Sequence, residues 1–289
     1  MKQTILKYLI ITLIVTYQSG CVSMALRFSP SLIPNLTESL FEECDTALVK
    51  ESLPADLKLM EGLSKNAPGN RQILISLCKG FTGYAMLFVE EDNIDRASAL
   101  YLRARNYGIR ALGSKGFFLA ESERGIKNVR KGLEKLGEKE IEALFWTIMA
   151  WNLWVNINLD KPAALAALAI TQPCLERVLQ VKPDFFYGAP QVLMGTLLAS
   201  KPSLMGGDPV RAKTYFEEAV EISNGRFFLV HYYYARYYAV RTQNKQLFIS
   251  LLQDIAQRHP NELIEVCLIN RVMQQKALKL LEESEDLFL

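Results

Sequence analysis

The side chains best able to hold a metal, attack a substrate or form a covalent link in this 289-residue chain are its two histidines and five cysteines. Four of the cysteines and both histidines stand at spacings that such chemistry does not use. His231 falls in an aromatic run and His259 directly precedes Pro260, so the two-histidine helical zinc motif is missing. Cys44, Cys78, Cys174 and Cys267 are far from one another and from both histidines, which removes the short zinc and dithiol redox motifs. Each reads as a small core residue of an apolar helical run. In an exported chain a pair such as Cys44 and Cys78, on nearby helices, could instead oxidise. Gly113-Ser114-Lys115-Gly116 lacks the Gly-Lys-Ser/Thr order of a phosphate loop and reads as a turn closing a helix. Glu217, Glu218 and Glu221 lie at helical spacing and read as a solvated face. No catalytic residue, metal site or cofactor is expected, and the chain reads as non-enzymatic.

Cys21 is the exception, because its position gives it a covalent role. Lys2 and Lys7 flank an apolar run from Tyr8 to Tyr17 that ends in Gln18-Ser19-Gly20-Cys21, the basic, apolar and small-residue layout of a secretory signal. The run is too short to span a bilayer, which takes about 18 residues. Its Ser-Gly-Cys ending resembles a bacterial lipobox, with Gln18 in place of the usual leucine. The expectation is a signal peptide over 1–20, lipidation at Cys21, a linker over 21–35 and a folded domain over 36–289. Acyl chains on Cys21 would hold the protein at a membrane surface without a spanning helix; an ordinary cleaved signal is the other reading. The chain's formal charge of +2 is carried by Lys2 and Lys7, since residues 1–21 contain no acid. What remains is neutral, so the basic footprint of a nucleic-acid partner is absent.

The elements that must position any site are helices. Half of the residues are hydrophobic, and no stretch alternates apolar and polar residues long enough to argue a sheet. Gly206-Gly207-Asp208-Pro209 followed by Ala212, Phe216 and Ala219 joins a helix start to a small, large, small packing code. This is the second-helix signature of a tetratricopeptide-type hairpin, whose first helix would carry Gln191, Met194, Gly195 and Leu198. Ala97, Tyr101 and Ala104 repeat the code after Phe81, Tyr84, Ala85 and Phe88. Further units place Trp146, Met149, Ala150 and Leu153 before Leu175, Val178 and Pro183, and His231, Tyr234, Ala235 and Tyr238 before Leu252, Ile255 and Pro260. The predicted fold is all-α, with degenerate tetratricopeptide-like hairpins stacked as one solenoid. Residues 115–137, rich in glycine and mixed charge, form either a helix or an excursion between repeats.

In such hairpins the positions that do not face the core line a concave wall. The phasing puts Thr82, Met86 and Val89 there, with Thr147, Trp151, Trp154, Val192, Thr196, Tyr232 and Arg236. Met86, Thr147, Trp151, Trp154, Thr196, Tyr232 and Arg236 are the candidate ligand-binding residues. An apolar, aromatic wall suits a hydrophobic ligand, and Arg236 stands free to meet a carboxylate. A one-residue shift in phase would instead make these aromatics core. In the turn from Lys201 to Asp208, Leu204 and Met205 either cover a cavity mouth or subunit contact or anchor the loop.

Gly83-Tyr84-Ala85, Trp146 with Ala150-Trp151, the Gly206–Ala219 block with Ile222-Ser223, and the ending Leu268-Ile269-Asn270-Arg271, Ala277, Leu280-Leu281 and Asp286-Leu287-Phe288 carry a resemblance from about Leu36 to the C-terminus. In their order and spacing they resemble the T components of tripartite ATP-independent periplasmic (TRAP) transporters, the TatT family. The resemblance implies a periplasm-facing lipoprotein, anchored to the outer membrane, that works beside the substrate-binding P component. It also implies ring-like homo-oligomers, such as trimers, with a pore or cleft in each subunit. The wall would then hold or pass a hydrophobic organic acid. A scaffold that docks a partner's helix or tail in envelope assembly, with no small molecule, is the other expectation.

Overall fold

Asp45, Asn70, Asn93, Asp208 and Asn244 each accept a backbone N–H from the first turn of the helix that follows, so five helix starts are written into single side chains. The computed structural model describes residues 31–120 and 126–288, and its regular elements are all helical. The signal segment and Cys21 lie outside the described residues. In chain order the helices are α1 Leu32–Glu42, α2 Thr46–Asn66, α3 Arg71–Tyr84, α4 Ile94–Ala111, the short α5 Phe117–Ala120, α6 Ile126–Leu133, α7 Glu138–Asn156 and α8 Pro162–Val181. They continue with α9 Phe185–Ser200, α10 Pro209–Ile222, α11 Phe228–Tyr233, α12 Lys245–Gln257, α13 Cys267–Glu282 and the short α14 Ser284–Leu287. Helices α3 and α11 are extended by π-helical turns, Ala85–Val89 and Tyr234–Ala239. Among the described residues the first helix begins at Leu32, inside the segment 21–35 expected to be a linker.

Packing follows sequence order. Helices α3 and α4, α7 and α8, and α9 and α10 pair, and α4 lies against α7 to join two of the pairs. The small, large, small residues do the joining: Ala97, Tyr101 and Ala104 on α4 and Ala212, Phe216 and Ala219 on α10 are all fully buried. A Cβ at Gly195 of α9 would stand 3.0 Å from the Phe216 ring, so this glycine sets the close approach of α9 and α10. Residues 113–120 and 126–133, on either side of 121–125, are helical. They open with the turn Gly113–Gly116, in which Lys115 pairs with Glu140 at 2.7 Å. The Arg177 guanidinium donates to the Leu136 carbonyl at 2.7 Å and ties the stretch to α8.

A simple solenoid touches only its neighbours, whereas here the end of the chain returns to its beginning. Cys44 forms a disulfide with Cys267, across a sequence separation of 223. The Lys276 ammonium of α13 donates to the Met86 carbonyl at 3.2 Å and pairs with Glu91 at 2.9 Å. The disulfide corrects two expectations. Cys44 lies in the connection between α1 and α2 rather than in a helix, and its partner is not Cys78. Cys78 is a free thiol wedged where α3, α4 and α7 meet, and burial pushes its pKa up to about 12.

Candidate functional site

Helix α7 is apolar on nearly every side, and Asn152 is a polar side chain in the middle of its buried length. The Thr171 hydroxyl of α8 donates to the Asn152 amide oxygen at 2.8 Å, which leaves the buried amide nitrogen without a partner. Whichever way the amide is turned, one end stays unpaired, because a hydroxyl serves only one of them. Across from it on α9 the Thr196 hydroxyl is also buried and unpartnered. Leaving such a group unpaired costs about 1–3 kcal/mol, so two in one place call for a ligand or an internal water.

Both residues line one cavity of about 190 Å³ between α7, α8, α9 and the extension of α11. Its walls are Leu153, Val155, Leu168, Leu193 and Leu197, with Tyr233 and Tyr237 at the far side. Tyr237 is held by the Asn156 amide, which donates to its hydroxyl at 3.0 Å. Lys201 and Pro202, at the start of the long turn, complete the lining. Lys201 is the charged residue there. Its ammonium donates to Gln172 at 2.9 Å, and burial lowers its pKa, opposed by Glu176. A cavity of about 150 Å³ lined by aliphatic and aromatic groups already holds a benzene ring, so this one admits a ring or a short alkyl chain. Two free polar atoms and one cation could hold the head of such a molecule.

The expected wall is therefore divided. Thr196 lines the cavity. Trp151 and Trp154 point elsewhere, into an open groove of about 810 Å³ between α4 and α8. Thr147 is fully buried at the α4–α7 crossing, where a Cβ on Gly108 would stand 2.1 Å from its hydroxyl oxygen. Met86 and Tyr232 are buried; the Tyr233 hydroxyl lies 3.7 Å from the Met86 sulfur. Arg236 stacks near the Tyr237 ring, 5.9 Å from its centre, and its side chain is outside the cavity lining. Leu204 is fully exposed, so it is not a loop anchor, while its neighbour Pro202 lines the cavity. The repeat phasing does not pick out Asn152, Lys201, Tyr233 and Tyr237. A lone asparagine within the apolar run Ala143–Val155 was the available signal.

Comparison with known sequences places the chain in a family. An uncharacterised protein of Treponema pallidum (strain Nichols) is 24% identical over 279 residues, covering 88% of this chain and 84% of that protein. Residues 42–288 match the family model described as the TRAP transporter T-component, a transporter accessory component rather than an enzyme family. The match takes in every helix that lines the cavity, from α7 to α11, and on that extent this chain belongs to the TRAP transporter T-component family.

Proposed function

We propose that this chain is an exported, lipid-anchored T component that holds a hydrophobic organic acid for the substrate-binding P component of a TRAP transporter. The observation that carries the reading is the pairing of Asn152 and Thr196, buried and unpartnered, inside an apolar cavity whose charged residue is Lys201. An apolar body would occupy the leucine-lined space and its carboxylate would reach Lys201. The helix pairs are then degenerate tetratricopeptide units, and Cys21 is the site of lipidation. A disulfide between Cys44 and Cys267 fits an oxidising compartment. The P component would receive the ligand at the mouth, where Leu159 and Leu165 are exposed beside the cavity.

Calorimetry with octanol and octanoate as probes tests the cavity. Leu168 is half-buried in its wall, so Leu168→Phe narrows the space without displacing a core residue. The expected result is at least tenfold weaker octanol binding in Leu168→Phe, and weaker octanoate but unchanged octanol binding in Lys201→Gln. Unaltered octanol binding in Leu168→Phe would remove the cavity as the site.

A further inference from the structure

The groove that holds Trp151 and Trp154 shares no lining residue with the cavity. Helix α8 divides the two: Leu165 and Leu168 face the cavity, while Ala163, Ala166, Ala167 and Ile170 form the floor of the groove. Trp151 is 5% exposed, and its indole N–H has no acceptor. The Arg105 guanidinium of α4 stacks over that indole, 4.8 Å from the ring centre. Its polar partner is the amide oxygen of the adjacent Asn106, at 3.1 and 3.3 Å, and it has no carboxylate partner among the described residues. Arg110, the other charged residue of the lining, donates to the Pro68 carbonyl at 3.3 Å. The described lining thus contains two arginines and no acid.

We infer that this groove is a second binding site, separate from the cavity, for a monocarboxylate with a flat or linear apolar body. The carboxylate meets the planar fork of Arg105 beside the Trp151 indole, while the apolar body lies along the alanine face of α8 against Trp154. Two features favour a small anion. An arginine held flat on an aromatic face keeps its outward N–H groups aligned for a carboxylate. The alanine floor leaves width for a chain or ring but supplies no polar group of its own. The cavity differs in that it offers neutral hydrogen-bonding groups inside and a flexible ammonium at its edge, so it accepts an alcohol as well as an acid. The groove demands the anion.

The test uses the full chain labelled with ¹⁵N at the tryptophan indoles, which gives three N–H signals, from Trp146, Trp151 and Trp154. Octanoate, octanol and octyltrimethylammonium are titrated in turn into the wild type, Arg105→Gln and the cavity-narrowing Leu168→Phe. The expected result is a saturable shift of the Trp151 signal with octanoate alone, retained in Leu168→Phe and at least tenfold weaker in Arg105→Gln. Trp146, which lines neither space, stays in place throughout. A Trp151 signal that does not move, or that moves equally with octanol or in Arg105→Gln, would overturn the inference. Because the cavity takes octanol and the groove does not, octanol calorimetry reads the cavity alone, so loss of the groove leaves the cavity reading intact and the converse also holds.

Discussion

At the scale of single residues, what separates a site from a core in this molecule is whether polar atoms are satisfied. Thr82, Thr147 and Ser223 are as buried as Thr196, but each gives its hydroxyl to a carbonyl four residues back on its own helix. Thr196 has no such partner. His231 is a third kind of case. It is buried beside Asp254, with its Nε2 3.6 Å from the carboxylate, and burial lowers its pKa against the pull of that carboxylate, with Arg258 adding to the depression. The folded state therefore binds fewer protons at this site than the unfolded state. Its contribution to stability is complete above the unfolded pKa of about 6.5 and is lost as pH falls from there through the depressed folded value. Thermal unfolding at pH 7.5 and 5.5 should show a larger fall in Tm for the wild type than for His231→Gln, with a ceiling of about 1.4 kcal/mol per pH unit. Glu90, whose pKa burial raises, acts in the opposite direction but equally in both proteins, so it drops out of the comparison.

At the scale of elements, the hairpins were legible where a local rule suffices. Asp208 caps the helix expected of it, and the small, large, small code lies in the contact it was read to make. Gly195→Ala tests that contact. The added methyl would press on Phe216 and on the Ala212 carbonyl at 3.0 and 3.2 Å, in a fully buried interface that has no room to yield. Overpacking of this kind costs about 1–3 kcal/mol. A Cβ at Gly62 of α2 meets nothing within 4 Å, so Gly62→Ala should be neutral or stabilising in the same melting experiment. The start of α9 was not legible. Phe186, Tyr187 and Gly188 all take left-handed backbone, with φ of 45°, 58° and 82°. Nothing in two aromatic residues announces a conformation that costs them about 1 kcal/mol or more each. Tertiary contacts supply the reason: the Phe186 ring meets Trp146, Phe41 and Phe227, from three other parts of the chain.

At the scale of the whole molecule, the return of the C-terminal helices to the first ones was beyond any local pattern. Cys44 stands among the acids Glu42, Glu43 and Asp45 and Cys267 in an apolar run, with nothing local to pair them, and only the fold brings them together. Closing so long a loop removes about 5 kcal/mol of chain entropy from the unfolded state. The same return explains why the expected concave wall is not one surface. Met86 and Tyr232, read as facing an open concavity, are covered by contacts between the first and last helices. The openings that the wall residues do reach are the cavity beside α7, α8 and α9 and the groove on the other side of α8. The central claim, that the cavity holds a small apolar acid, is tested most directly by native mass spectrometry of Arg105→Gln, in which the groove is disabled, purified from cells that export it, with the double variant Arg105→Gln/Leu168→Phe alongside. The account predicts a small apolar acid bound to Arg105→Gln and lost from the double variant; an Arg105→Gln protein that carries nothing, even with octanoate in excess, would contradict it.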